Sequence, residues 1–161
     1  MKIIILLGGN IGDTAGLFRS AADAFIARGY ELEKTSSLYR SEAWGYESAN
    51  PYLNQVIILN REIEAEEVLN DALEIEKELG RVRIEDGEYH DRPIDVDILY
   101  LDDKVLKTER LEVPHPRLHL RNFTLLPLEE ILPDFIHPLL KKDHKSLVLL
   151  CPDQNSVERI A

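Results

Sequence analysis

Asp95 and Asp97 stand two apart in Arg92-Pro93-Ile94-Asp95-Val96-Asp97-Ile98-Leu99-Tyr100-Leu101, and that spacing governs what they can do together. β-Branched and apolar residues dominate the stretch after its proline, so it reads as a strand. Side chains alternate along a strand, which turns both carboxylates to one face and Ile94, Val96 and Ile98 to the other, toward a core. Carboxylates paired in this way can share a divalent cation, and hard oxygen ligands suit Mg²⁺. Arg81, Arg83 and Arg92 lie just upstream, and His115 and Arg121 just downstream. Taken alone, the Asp-x-Asp reads first as the acidic, solvated face of a half-exposed strand. With guanidiniums on both sides to bind phosphate, it points to a metal–nucleotide site.

Glu76 falls inside the apolar arc that Val68, Leu69, Ala72 and Leu79 make on a helical wheel. A carboxylate there needs an arginine, a backbone donor or a metal-bound water, unless its stem lies at the edge of the stripe with its head in solvent. Tyr52, Trp44 and Phe123 are either core aromatics or stacking surfaces for a planar heterocycle. Asn54 shares a strand face with Tyr52, and its amide offers a donor and an acceptor to such a ring. Gly8-Gly9-Asn10-Ile11-Gly12-Asp13 lacks the Gly-Lys-Ser/Thr ending of a phosphate-binding loop and reads as a tight turn whose glycines could admit a flat ligand. His115 is held extended between Pro114 and Pro116 beside Arg117 and Arg121, which suits a phosphate contact as well as a hydrated loop.

The elements that must position these residues are legible in outline. Ile3–Leu7 is a continuous apolar run and reads as a buried strand. Asp13 or Thr14 caps a helix whose apolar face is Leu17, Phe18, Ala21, Ala22, Phe25 and Ile26, and Gly29 ends it. Strands follow near Glu33–Arg40 and over Tyr52–Asn60, separated by the loop from Trp44 to Pro51. A helix spans about Glu64–Leu79 and stops at Gly80. After a polar loop from Arg83 to Asp91 comes the strand of the Asp pair. The order β-α-β-β-α-β is that of an α+β, ferredoxin-like core, a mostly antiparallel sheet with helices packed on one face. A C-terminal extension adds a short strand near Val105 or Glu112 and a helix over Leu125–Leu132.

At 161 residues the chain is expected to form a single domain, 1–161. Its net charge of −11 argues against nucleic acid as a partner, and no apolar run approaches a membrane span. Acid is concentrated between Glu62 and Glu78, whereas the segment from Arg81 to Arg121 is rich in Arg, Lys and His, which suits a small polyanion. Cys151 is the only cysteine, which fits a reducing, cytoplasmic setting.

The ordered set Gly8 and Asn10, Ser36-Ser37-Leu38-Tyr39-Arg40, Tyr52-Leu53-Asn54, Glu76, Gly80-Arg81-Val82-Arg83, Arg92-x-x-Asp95-x-Asp97-Ile98, Val113-Pro114-His115 and Arg121-x-Phe123 resembles the 6-hydroxymethyl-7,8-dihydropterin pyrophosphokinases of folate biosynthesis. The resemblance implies transfer of pyrophosphate from ATP to the pterin hydroxymethyl group, with release of AMP. It implies two Mg²⁺ ions on Asp95 and Asp97, and catalytic roles for Arg81, Arg83 and Arg92, with Arg81 and Arg83 on a mobile loop. ATP contacts fall on Glu76, Arg92, Ile98, Arg110, His115 and Arg121. Pterin contacts fall on Gly8, Ser41, Glu42, Trp44, Tyr52, Asn54 and Phe123. The expected protein is a monomer acting on small molecules. Where many members carry Trp and Pro in the loop, this chain has Tyr89 and Asp91. A ferredoxin-like module that binds nucleotide or a partner without catalysis is the alternative.

Overall fold

A computed structural model describes residues 1–82 and 86–161. Its core strands are β1 (Lys2–Gly9), β2 (Glu31–Thr35), β3 (Tyr39–Ser41), β4 (Tyr52–Asn60) and β5 (Asp95–Leu101). Helix α1 (Thr14–Ala27) follows β1, and α2 (Ala65–Glu78) links β4 to β5. The sheet runs β5-β1-β4-β3, with β2 on the same edge of β4 as β3. All of these pairings are antiparallel, which is the ferredoxin-like arrangement. The expected strand over 33–40 is therefore two strands. They break at Ser36, whose hydroxyl accepts the Val56 N–H at 2.9 Å and so fills a gap in the ladder.

Helices cover both faces of the sheet, not one. Ile3, Ile5 and Leu7 of β1 pack with Phe18, Phe25, Val68 and Ile75 of α1 and α2. Ile4 and Leu6 face the other way, toward Leu125 and Leu128 of α3 (Asn122–Ile131) and Leu147 of α4 (His144–Leu150). An uninterrupted apolar strand is what burial on both faces requires, since alternation would leave one face polar. The hairpin β6 (Leu106–Lys107) and β7 (Glu112–Val113) and a last strand, β8 (Val157–Arg159), complete the chain. β8 pairs with β3 and extends the sheet to six strands. Among the described residues no helix is long and apolar enough to cross a membrane.

Three local features aim the site. Asp13 caps α1 by accepting the Gly16 N–H at 3.2 Å, which fixes the turn after β1. A register shift in the β1–β5 pairing leaves Leu99 as an extra residue, and its carbonyl accepts the His115 N–H at 2.9 Å. That bond draws the segment after β7 against β5. Helix α3 begins at Asn122 rather than Leu125, which puts Phe123 in its first turn, and Asp153 holds that turn by accepting the Asn122 N–H at 2.9 Å.

Candidate active site

The first residues of β5 lie opposite the end of β1, with Gly8 across from Asp95 and Leu6 across from Asp97. Both carboxylates sit on the α3 side of the sheet beyond the cover of that helix, while Val96 and Ile98 enter the α1–α2 core. Glu76 is 2 % exposed and packs behind them. Its Oε2 accepts from Arg81 Nη1 at 2.7 Å and from the Val96 N–H at 2.8 Å. The buried glutamate thus has an arginine and a backbone donor as partners. The same Arg81 nitrogen donates to Asp95 Oδ1, and Arg92 Nη1 lies 3.4 Å from Asp95 Oδ2. Arg81 is therefore anchored against the carboxylates rather than carried free on a loop. Arg83 lies outside the described residues.

The two aspartates have opposite electrostatics. Burial acts to raise Asp95, but the charges of Arg81 and Arg92 outweigh it and hold the carboxyl below its ordinary range. Asp97 has no cation in direct contact among the described residues, and the more distant charges of Arg121 and Arg81 offset only part of what raises it. Burial, and then the neighbouring Asp95 charge, push it up to about 7.

Arg121 is 7 % exposed, and its Nε and Nη2 have no hydrogen-bond partner among the described residues. Its guanidinium lies between two rings, 5.6 Å from the centre of Trp44 and 4.9 Å from that of Phe123. His115 is held neutral, its pKa lowered to about 3 by burial and by the charges of Arg121 and Arg117. Its Nδ1 accepts the Arg117 N–H at 3.2 Å, so the ring proton sits on Nε2.

Two clefts meet at the Asp pair, and a third reaches Asp97. A cavity is lined by Gly8, Ser41, Glu42, Trp44, Tyr52, Asn54 and Phe123 together with Asp95, Asp97, Arg92 and Arg121. Its mix of rings and polar groups suits a small planar ligand. A polar cleft on the other side of the carboxylates gathers Arg81, Arg92, His115, Arg117 and Arg121. A third groove, along α2 and the β6–β7 hairpin, is lined by Ile98, Arg110 and His115. Arg110 is engaged there with Glu66 at 2.6 Å and Asn70 at 2.8 Å. Asn54 spends its amide nitrogen on the Tyr39 carbonyl and the Ser41 hydroxyl, which leaves Oδ1, an acceptor, for a ligand. Tyr46 also lines the first cavity, and sequence reasoning does not single it out. It stands in an irregular loop, where no periodicity reports the direction of a side chain.

The model of the 7,8-dihydro-6-hydroxymethylpterin-pyrophosphokinase (HPPK) family matches residues 4–133. The chain belongs to that family. HPPK proteins carry out pyrophosphoryl transfer in folate biosynthesis, and this is the function of the chain. The 2-amino-4-hydroxy-6-hydroxymethyldihydropteridine pyrophosphokinase of Porphyromonas gingivalis is 41 % identical over 142 residues, 86 % of this chain and 95 % of that protein. The enzyme of the same name from Aquifex aeolicus is 39 % identical over 139 residues, 86 % of this chain and 85 % of its own. In fold, the chain is similar to the structure described as Plasmodium falciparum HPPK-DHPS wild type with SDX-DHP, with a TM-score of 0.64 and 16 % identity. That alignment covers 92 % of this chain and 43 % of the longer one. Membership in a pyrophosphokinase family decides against the non-catalytic module.

Proposed function

We propose that this HPPK transfers the β,γ-pyrophosphoryl group of ATP to the hydroxymethyl oxygen of 6-hydroxymethyl-7,8-dihydropterin and releases AMP. The observation that carries the reading is Arg121. A guanidinium that is buried, with two nitrogens unpaired among the described residues and an adjoining cleft lined by further cations, is a costly arrangement unless an anion completes it. A polyphosphate supplies that anion. The ring-lined cavity is read as the pterin pocket, with Trp44, Tyr52 and Phe123 against the ring faces, Asn54 Oδ1 accepting a ring N–H, and Gly8, Ser41 and Glu42 around the edges. ATP phosphates are assigned to Arg81, Arg92, His115 and Arg121, and to Arg83 on the sequence resemblance. Its nucleoside is assigned to the groove with Ile98 and Arg110. Glu76 is assigned to the same ATP half of the site, through its hold on Arg81.

The donor set fits a hard divalent cation. Asp97 is raised by burial and then by the like charge of Asp95, and a cation between the two would offset both. Among the described residues no group of three or more His, Cys, Asp or Glu forms a protein-only cage, which suits Mg²⁺, since it keeps water and substrate phosphates as ligands. Two Mg²⁺ ions held there would neutralise phosphate charge and favour the alkoxide character of the attacking hydroxyl. The residues themselves supply alignment and charge, the main needs of phosphoryl-type transfer. Arg92 joins the two halves of the site, since it borders both the pterin cavity and the phosphate cleft. The neutral His115 can donate from Nε2 without adding to the positive charge.

The proposed setting is the cytoplasm. There, one domain of residues 1–161 acts as a monomer on small molecules, without nucleic acid, in keeping with a net charge of −11. Arg121→Leu, which keeps a similar apolar stem, should weaken a non-hydrolysable ATP analogue by about 2–5 kcal/mol in titration calorimetry, the range for losing a buried charged partner. Affinity unchanged within about twofold would remove the argument for phosphates in this cleft.

A further inference from the structure

Glu130 stands at the far end of α3 from Arg121, and three donors converge on it. Its Oε1 accepts from the Tyr39 hydroxyl at 2.7 Å and from the Ser37 N–H at 3.0 Å, and its Oε2 accepts from the Ser37 hydroxyl at 3.1 Å. Arg159 of β8 is 3.8 Å from Oε2. Ser37 lies where β2 and β3 break apart, so its N–H has left the ladder with β4 and needs an acceptor from elsewhere. Burial acts to raise the Glu130 carboxyl, but the bonds from Tyr39 and Ser37 outweigh it and hold the group below its ordinary range. An ionised carboxylate only accepts, which is what three convergent donors require. These bonds bear on two walls of the ring-lined cavity. The Tyr39 carbonyl and the Ser41 hydroxyl of β3 accept from Asn54 Nδ2 at 3.2 and 2.9 Å, and so fix which way Asn54 Oδ1 points. On α3, Phe123 and Glu130 share one face, two turns or about 10 Å apart along the axis. Asp153 holds the first turn of α3 by accepting from the Asn122 N–H and, through its carbonyl, from Asn122 Nδ2 at 3.0 Å. Arg121 and Phe123 are thus held at one end of the helix, and Glu130 sets how far β3 lies from it.

We propose that Glu130 is a positioning residue for the pterin half of the site: it ties α3 to β3 and so fixes the gap between Phe123 and Asn54 into which a flat bicyclic ring must fit. The inference rests on the pterin reading of that cavity. Glu130 touches no reacting atom and acts through the helix and the strand that it joins. Without it β3 is free to shift, the Asn54 amide loses its fixed direction, and the ring must order both as it binds, which weakens affinity. Nucleotide recognition is spared, because none of the described residues that line the phosphate cleft or the groove with Ile98 and Arg110 comes from β3 or β4.

Titration calorimetry tests this, with 6-hydroxymethylpterin added to protein that already holds a non-hydrolysable ATP analogue and Mg²⁺, and with the analogue added to ligand-free protein. In Glu130→Ala pterin binding should weaken about tenfold, the scale of losing more than one hydrogen bond, while the analogue binds within about twofold of wild type. Tyr39→Phe keeps the ring and loses one bond, so pterin binding should weaken about two- to fivefold. That variant decides the matter alone if Glu130→Ala does not fold. Glu130→Gln keeps an oxygen for the Ser37 N–H, and the two hydroxyls can turn to accept from its amide, so pterin binding should recover to within about threefold of wild type. A purely structural role would lower the melting temperature of Glu130→Ala and leave pterin affinity unchanged well below it. That result would overturn the proposal, as would unchanged pterin affinity in Tyr39→Phe, equal losses for pterin and nucleotide, or no recovery in Glu130→Gln. Wild-type protein that binds no pterin overturns the pocket reading and the role of Glu130 with it. Wild-type protein that binds pterin no better than Glu130→Ala does overturns the role of Glu130 alone.

Discussion

Asp97 differs from Asp95 in what surrounds it, and the difference separates its role in catalysis from any role in folding. Asp95 is braced by Arg81 and Arg92, whereas Asp97 faces a like charge with no cation in direct contact among the described residues. Asp97→Asn removes a repelling carboxylate from the protein and a ligand from the proposed metal pair. Its melting temperature should therefore be no lower than that of the wild type, while single-turnover pyrophosphoryl transfer should fall by about a hundredfold or more, the scale of metal-based charge stabilisation. A variant that is both less stable and fully active would contradict this division. The Asp pair was legible in the sequence because strand parity alone places both residues on one face. Glu76 was legible from its position on a helical wheel, though the wheel could not choose among its partners. That choice depended on Arg81, which reaches Glu76 and Asp95 only because α2 ends at Gly80, with φ +99°. Tyr46 and Asp91 were not legible as a pair, since their bond joins two loops 45 positions apart.

Helix α3 brings Phe123 and Arg121 to the site together, since Arg121 is its N-terminal flanking residue and Phe123 lies in its first turn. Phe123→Ala should cost roughly 1–3 kcal/mol of pterin affinity, the scale of one lost stacking partner. Arg121 rests on the same ring but keeps Trp44 on its other side, so affinity for an ATP analogue should fall by less, about 0.5–1 kcal/mol. Calorimetry with each ligand separately checks the order, and a larger loss for the nucleotide would contradict the pocket assignment. Sequence periodicity found β1, α1, β4, α2 and β5 because each is long enough to repeat its pattern. It did not find α4, a helix of 7 residues, or β8, three residues from Val157 to Arg159 that are largely exposed. Both are fixed by tertiary contacts. β8 pairs with β3, and Ile160 and Ala161 exchange backbone bonds with Leu38. The second layer of helices follows from α3 and α4, so the expectation of one covered face failed where those signals were weakest.

At the scale of the whole molecule, two cores share one sheet, and the core on the α3–α4 side contains ionisable groups that folding keeps neutral. His144 is fully buried. Its Nδ1–H donates to the Leu132 carbonyl at 2.7 Å, and Nε2, 2.9 Å away, accepts from the Tyr100 hydroxyl. Burial lowers its pKa, and burial with the nearby His119 and His144 lowers that of His137 to about 4. In the unfolded chain a histidine takes its proton near pH 6.5. Below that value the unfolded state binds protons that the folded state refuses. Stability should thus be full above about pH 6.5 and decline as pH falls toward about 4, where His137 begins to titrate in the folded protein. Asp97, raised to about 7, acts in the opposite sense over this range, so urea midpoints at pH 7.5 and pH 5 are compared in Asp97→Asn, where equal midpoints would contradict the histidine effect. In the proposed reaction the residues around Asp95 and Asp97 pass two phosphates together to a pterin. Its most direct test is to follow ATP labelled in the γ-phosphate, mixed with Mg²⁺, 6-hydroxymethyl-7,8-dihydropterin and the protein, by separating the products. One AMP is expected for each pterin consumed, with the label on the pterin diphosphate, and no such product from Asp97→Ala. ADP as the nucleotide product, or labelled pterin diphosphate formed equally well by Asp97→Ala, would contradict it.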